Sequence, residues 1–131
     1  MIKIEQLLKY VIDTGSSDLH LVVGAKPIIR LYGKLLPVSE TEVLTRETAK
    51  TLVMSLMTLE QQKNFLEEKE IDFSFNLPGL ARFRVNTYLQ KGTMAAALRF
   101  IPMKIMTIDE LNLPPICHSF AKLKQGFVLV L

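Results

Sequence analysis

Arg82, Arg84 and Arg99 are the side chains whose type and spacing could do chemistry in this chain. Along Ala81 to Gln90 the odd positions Ala81, Phe83, Val85, Thr87 and Leu89 are largely apolar, while Arg82, Arg84, Asn86, Tyr88 and Gln90 alternate with them, the period-2 pattern of a half-buried strand. From Thr93 to Ile101 the phase reverses. Met94, Ala96, Leu98 and Phe100 form the bulky apolar face and leave Thr93, Ala95, Ala97 and Arg99 opposite. A Lys91-Gly92 turn puts Gln90 against Thr93, and counting back in pairs then sets Arg84 directly opposite Arg99. Two opposed guanidiniums, with Cβ atoms about 5 Å apart, repel and weaken a sheet by up to ~1 kcal/mol. An anion would relieve that repulsion, because arginine offers fixed donor forks suited to phosphate oxygens, and Ala95 and Ala97 are small enough to leave room above the sheet. The other outcome open to the pair is to fan into solvent or to bind Asp72, Glu68 or Glu70.

Other reactive side chains are sparse. His20 and His118 are the only histidines, and apart from the adjacent Cys117 no cysteine or carboxylate stands at metal-ligand spacing around them, so no metal site is expected. His20 reads as a hydrogen-bonded structural histidine on the Asp18 side of its strand. Gly15-Ser16-Ser17-Asp18 reads as turn chemistry rather than a nucleophile cluster. Cys117 is alone, which excludes an internal disulfide and fits a reducing cytoplasm.

The elements that must position the arginines are legible from hydropathy. Ile4, Leu7, Leu8, Val11 and Ile12 make one stripe of a helix closed near Gly15. Leu19, Leu21 and Val23 face a core from a first strand, with Asp18 and His20 turned the other way. Ile28 to Tyr32 is a second strand, linked by Gly33-Lys34 into Leu35-Leu36. Thr45 caps a helix with Ala49, Leu52, Val53, Leu56 and Met57 inward, and Thr58 to Gln61 is a capping box opening a shorter one with Phe65 and Leu66 inward. Ile71 to Phe75 is a strand, Asn76 to Gly79 a turn, and Leu80 to Ile101 a long hairpin. Thr107 to Glu110 repeats the capping-box pattern, Pro114-Pro115 introduces a helix carrying Ile116, Phe120 and Leu123 on one side, and Phe127 to Leu131 is an apolar strand. Helices and strands interleave without regular βαβ alternation, so the expected class is α+β, a mainly antiparallel sheet with helices packed on one face.

Composition bounds the answer. With 131 residues, 49% hydrophobic and 22% charged, the chain can bury a core, and folding removes roughly two thirds of its unfolded surface from water. A net charge of +3 is compatible with nucleic acid, acidic headgroups or nucleotide phosphates and selects none of them. The longest apolar runs fall far short of the ~20 residues that span a bilayer, and the start lacks the pattern of a signal peptide.

The order Ser16-Ser17-Asp18-Leu19-His20-Leu21, followed by Gly24, Pro27 and Arg30, resembles the amino-terminal domain of type IV pilus retraction ATPases, the PilT-type motors of the secretion and pilus motor superfamily. The resemblance implies a PAS-like domain over residues 1–125, with 126–131 as hinge and first strand of a RecA-like ATPase domain that is missing here. It also implies roles for two arginines. In that family an Arg in an Arg-Val strand motif and another just before an Ile-Pro reach the nucleotide phosphates, and those positions match Arg84 in Arg82-Phe83-Arg84-Val85-Asn86 and Arg99 in Leu98-Arg99-Phe100-Ile101-Pro102. Arg82 shares their face as a weaker candidate. ATP and Mg are implied for an intact protein. No Gly-x-x-x-x-Gly-Lys-Ser/Thr loop occurs in the sequence, so neither cofactor nor ATP hydrolysis is expected of this chain alone. The implied partners are neighbouring subunits of a homohexamer and the pilus platform protein of the inner membrane, with the motor cytoplasmic and peripheral to that membrane.

Two other functions remain open from the residues. A PAS-like sheet with flanking helices could hold a small ligand, though no cofactor-anchoring residue is evident. Arg82, Arg84, Tyr88 and Lys91 could bind single-stranded nucleic acid, yet Tyr88 is the one aromatic on that face, where stacking platforms use two or more.

Overall fold

Ile4, Leu7, Leu8 and Val11 fall on one side of the first helix, α1 (Ile4–Thr14), and all four are buried in the computed structural model, which describes residues 1–131. Gly15 ends α1 at φ +72°, a left-handed conformation that costs a residue with a side chain about 1–2 kcal/mol. A Cβ there would meet nothing within 4 Å, so the backbone penalty stands alone. Gly15→Ala is therefore expected to lower stability by about 1 kcal/mol, read as a shift in the urea midpoint without a change in slope.

Helices α2 (Arg46–Ser55) and α3 (Leu59–Glu68) begin at the predicted threonines. Thr45 Oγ1 accepts from the Thr48 N–H at 3.2 Å, and Thr58 Oγ1 accepts from the Gln61 N–H at 3.2 Å while Gln61 Oε1 accepts from the Thr58 N–H at 2.9 Å. Ala49, Leu52, Val53, Leu56 and Met57 are all buried, as expected. Phe65 is buried too, but Leu66, expected inward, is 56% exposed. Successive residues point about 100° apart on a helix, and α3 meets the sheet along β4 through one narrow stripe that admits Phe65 alone.

One antiparallel sheet carries the rest: β1 (Asp18–Leu21), β2 (Ile28–Leu31), β3 (Lys34–Pro37), β4 (Glu70–Leu77), β5 (Ala81–Gln90) and β6 (Thr93–Ile101), in the order β3-β2-β1-β6-β5-β4. The two three-stranded halves join where β1 pairs with β6. The turn between β2 and β3 is Tyr32-Gly33, one residue earlier than expected, because Leu31 pairs with Lys34 and both turn residues take positive φ. Leu19, Leu21, Ile29, Phe83, Val85, Ala96 and Leu98 bury one sheet face against α1, α2 and α3. The class is α+β, as the sequence indicates.

Beyond β6 the chain buries little. Thr107 and Glu110 form their capping box, with Glu110 Oε2 accepting from the Thr107 N–H at 2.8 Å, and α4 (Ile116–Ala121) follows Pro114-Pro115. Ile116, Phe120 and Leu123, the apolar side chains of this segment, are exposed. Residues 127–131 form no strand. A strand needs a neighbour for its backbone N–H and C=O groups, and no strand of this sheet pairs with them.

Candidate functional site

Because β1 lies between β2 and β6, one of its residues can face a cross-strand neighbour on each side. Asp18 is opposite Arg30 on β2 and Arg99 on β6, and Arg99 is in turn opposite Arg84 on β5. Arg30, Asp18, Arg99 and Arg84 thus form one row across four strands. The row stands on the face away from the helices, since its flanking residues Leu19, Ile29, Phe83, Val85 and Leu98 are the ones buried in the core. The Arg84–Arg99 register follows from the Lys91-Gly92 turn, with φ of +49° and +74° and Gln90 against Thr93, as the sequence predicts. Arg82 shares the face but not the row. It pairs with Ile101, and its Nε donates to Asn76 Oδ1 at 3.3 Å.

The charges in the row are unequally satisfied. Arg99 Nε donates to Asp18 Oδ1 at 3.0 Å, Arg30 Nε lies 3.2 Å from Oδ2, and the Ser17 hydroxyl donates to Oδ2 at 3.0 Å. The Asp18 side chain is only 8% exposed, whereas that of Arg99 is 73% exposed. Arg30 is held again through Nη1, which donates to the Gly33 carbonyl at 3.2 Å. Arg84 has no carboxylate within 4.0 Å and makes no side-chain hydrogen bond. Asp72 and Glu70, the acidic partners anticipated for the pair, instead accept from Asn86 Nδ2 at 3.2 and 3.1 Å. The row therefore carries three guanidiniums against one carboxylate, with the surplus at the Arg84 end.

An open hollow of about 510 Å³ lies over the row, bordered by Ser17, Asp18, His20, Arg30, Arg84 and Arg99, with the Asn86-bonded Asp72 also at its edge. Ala97 forms part of its floor, while Ala95, expected to help open this space, is fully buried. The His20 ring makes no hydrogen bond, unlike the structural role expected of it, because its register neighbours Ile28 and Ala97 offer no polar side chain. Ser16 Oγ lies 2.7 Å from Thr14 Oγ1, as turn chemistry requires. His118 Nε2 sits 2.9 Å from Asp109 Oδ1, remote from the row in sequence. No three His, Cys, Asp or Glu side chains are grouped to hold a metal ion, and no helix is long and apolar enough to cross a membrane.

Burial pushes the Asp18 carboxyl up, but the Arg99 and Ser17 hydrogen bonds, with the charges of Arg99 and His20, outweigh it and hold the pKa below the ordinary aspartate value. The folded protein thus holds the Asp18 proton more weakly than the unfolded chain does. The resulting stabilisation is fully present above the unfolded aspartate pKa of about 3.9 and disappears as the pH falls through the lower folded value. Wild-type protein is expected to lose more urea stability between neutral pH and strong acid than Asp18→Asn; equal losses would contradict it.

Asp18 as the shared partner of Arg30 and Arg99 is what sequence reasoning missed. Its alternation put Asp18 on the right face, but the contact to Arg99 spans 81 residues and depends on β1 entering the sheet beside β6.

An antiparallel sheet backed by helices on one side is the fold of the amino-terminal domain of the pilus retraction motor PilT. Over 90% of its length this chain superimposes on 36% of the pilus retraction motor PilT, from a crystal structure with bound ADP, at a TM-score of 0.78 and 33% identity. The ATPase DotB of Legionella pneumophila shares the fold at a TM-score of 0.66 and 24% identity, over 92% of this chain and 35% of that one. In sequence, the chain is 37% identical over 127 residues to the pilus retraction ATPase PilT of Pseudomonas aeruginosa, matching 97% of this chain and 37% of the relative. It is 34% identical to the pilus ATPase PilU of the same organism, over 95% of this chain and 32% of PilU, and 35% identical to a twitching motility protein of Neisseria gonorrhoeae, over 91% and 31%. No family model matches the chain. The chain belongs to the PilT-type ATPase family, as an amino-terminal domain, and spans about a third of the length of these relatives.

Proposed function

We propose that the chain is the amino-terminal domain of an ATPase that powers type IV pilus retraction and twitching motility, and that Arg84 and Arg99 are its contribution to the nucleotide phosphates. The supporting observation is the opposed Arg84–Arg99 pair on an open face, with Arg84 unpaired and most of Arg99 in solvent. Like charges held together in this way are stabilised by a polyanion, and guanidinium forks suit phosphate oxygens. In the intact motor the pair would act electrostatically on charge developing at the transferred phosphoryl group, as arginine fingers do. ATP and Mg would be bound mainly by a RecA-like domain that residues 126–131 lead into, and residues 1–125 would move against it. Arg82, tied to Asn76, would be a secondary contact. The same domain would pack against the neighbouring subunit of a homohexamer at the cytoplasmic side of the pilus platform in the inner membrane. The deciding experiment is steady-state ATP turnover of the protein extended through its phosphate-binding loop, with Arg84→Ala and Arg99→Ala compared to wild type.

A further inference from the structure

We infer that Asp18 and Arg30 are positioning residues for Arg99: together they hold its guanidinium by Nε alone and leave both terminal nitrogens free for an oxyanion. The inference rests on the phosphate reading of the arginine pair and adds to it two residues that touch no phosphate.

The geometry carries it. A carboxylate beside a lone arginine commonly takes two of its N–H groups side by side, which would remove part of the fork from use. Asp18 does not do so. Its Oδ1 takes Arg99 Nε at 3.0 Å, while Oδ2 is occupied by Arg30 Nε at 3.2 Å and the Ser17 hydroxyl at 3.0 Å. Arg30 is itself fixed at a second point, through Nη1 to the Gly33 carbonyl at 3.2 Å, so it holds Oδ2 away from Arg99. Neither terminal nitrogen of Arg99 has a partner, and the side chain is 73% exposed toward the hollow that Arg84 also borders. One buried carboxylate thus fixes the direction of Arg99 without consuming its donors. A side chain already aimed loses less freedom on binding. Arg30 restrains Asp18 in this arrangement, and without it Oδ2 keeps only the Ser17 hydroxyl and has capacity to accept a second Arg99 nitrogen.

The test uses the 131-residue chain, with ¹⁵N-labelled arginine Nε–Hε signals followed by NMR as sodium tripolyphosphate is titrated at low salt. In wild type the Arg99 Hε proton, which Asp18 Oδ1 accepts, is expected to exchange with water at least about tenfold more slowly than that of Arg84, which has no acceptor. Tripolyphosphate should shift the Arg84 and Arg99 signals with one common affinity. Arg30→Lys keeps the charge but cannot hold Asp18 and the Gly33 carbonyl as the guanidinium does, and should weaken that affinity about threefold. In an Asp18→Asn background the same change should have an effect of less than about 1.5-fold, since the carboxylate being restrained is gone. Equal weakening in both backgrounds overturns the inference, as does Arg99 Hε exchange as fast as that of Arg84. If Asp18→Asn does not fold, Arg30→Lys with wild-type affinity overturns it alone. No response of wild-type Arg84 or Arg99 to tripolyphosphate defeats the phosphate reading and the inference with it.

Discussion

Arg84→Ala and Arg99→Ala, each made in the proposed motor with an ATPase core joined to this domain, are expected to lower kcat by about 100-fold or more while leaving the fold intact. The size follows from what such donors do. A preorganised hydrogen-bond donor aimed at developing charge is worth roughly 10²–10³ in rate, and arginine fingers in phosphoryl transfer reach higher. The double variant should fall short of the product of the singles, because neighbouring guanidiniums share one anion and their contributions overlap. Stability serves as the internal control. Both side chains stand on the face away from the core, and deleting Arg84 relieves its repulsion with Arg99, so urea stability should not fall in Arg84→Ala. Arg99→Ala should lose a little, since it leaves Asp18 with Arg30 as its remaining ion-pair partner. Unchanged turnover in either variant would remove that residue from the proposed role.

Phe83→Ala is expected to have the largest effect on stability, a loss of about 3–5 kcal/mol in urea unfolding. Phe83 is fully buried on β5, which pairs with both β4 and β6, and its ring packs tilted against Phe100 at a centroid distance of 5.8 Å. Truncation there opens a cavity in the core beneath β5, where the flanking strands cannot close in without breaking their ladders. A domain of this size has only about 5–15 kcal/mol to lose, so the variant should be largely unfolded at temperatures the wild type tolerates. A loss below about 1 kcal/mol would contradict this placement of Phe83. Arg82 and Arg84 flank Phe83 in sequence and depend on its burial to face outward. Phe83→Ala should therefore abolish turnover through unfolding, whereas the arginine variants should lower it by about 100-fold while folded, and circular dichroism separates the two.

Much of the positioning was local and therefore legible in the sequence. Period-2 alternation along 81–90 and 93–101 fixed which side chains face the helices, and the Lys91-Gly92 turn fixed the register that opposes Arg84 to Arg99. Helix starts at Thr45 and Thr58 and the stop at Gly15 were readable because caps are made by residues within a turn of the helix end. Errors came where the deciding contact was distant or absent. Leu66 is apolar and adjacent to Phe65, yet its burial depended on how wide a stripe α3 would find on β4. Residues 127–131 have the composition of a strand, but a strand exists only with a partner, which no local pattern supplies.

The amino-acid order by itself determined an antiparallel hairpin with two arginines side by side on its polar face, because turn type and alternation act over a few residues. Only the tertiary structure decided what those arginines meet. By seating β1 between β2 and β6 it brought Asp18 and Arg30 to the same row, left Arg84 with no carboxylate within 4.0 Å, and made Asp18 the one buried anion in a line of cations. Strand order is set by how the whole apolar face closes on the helices, and nothing within reach of Asp18 along the chain encodes it.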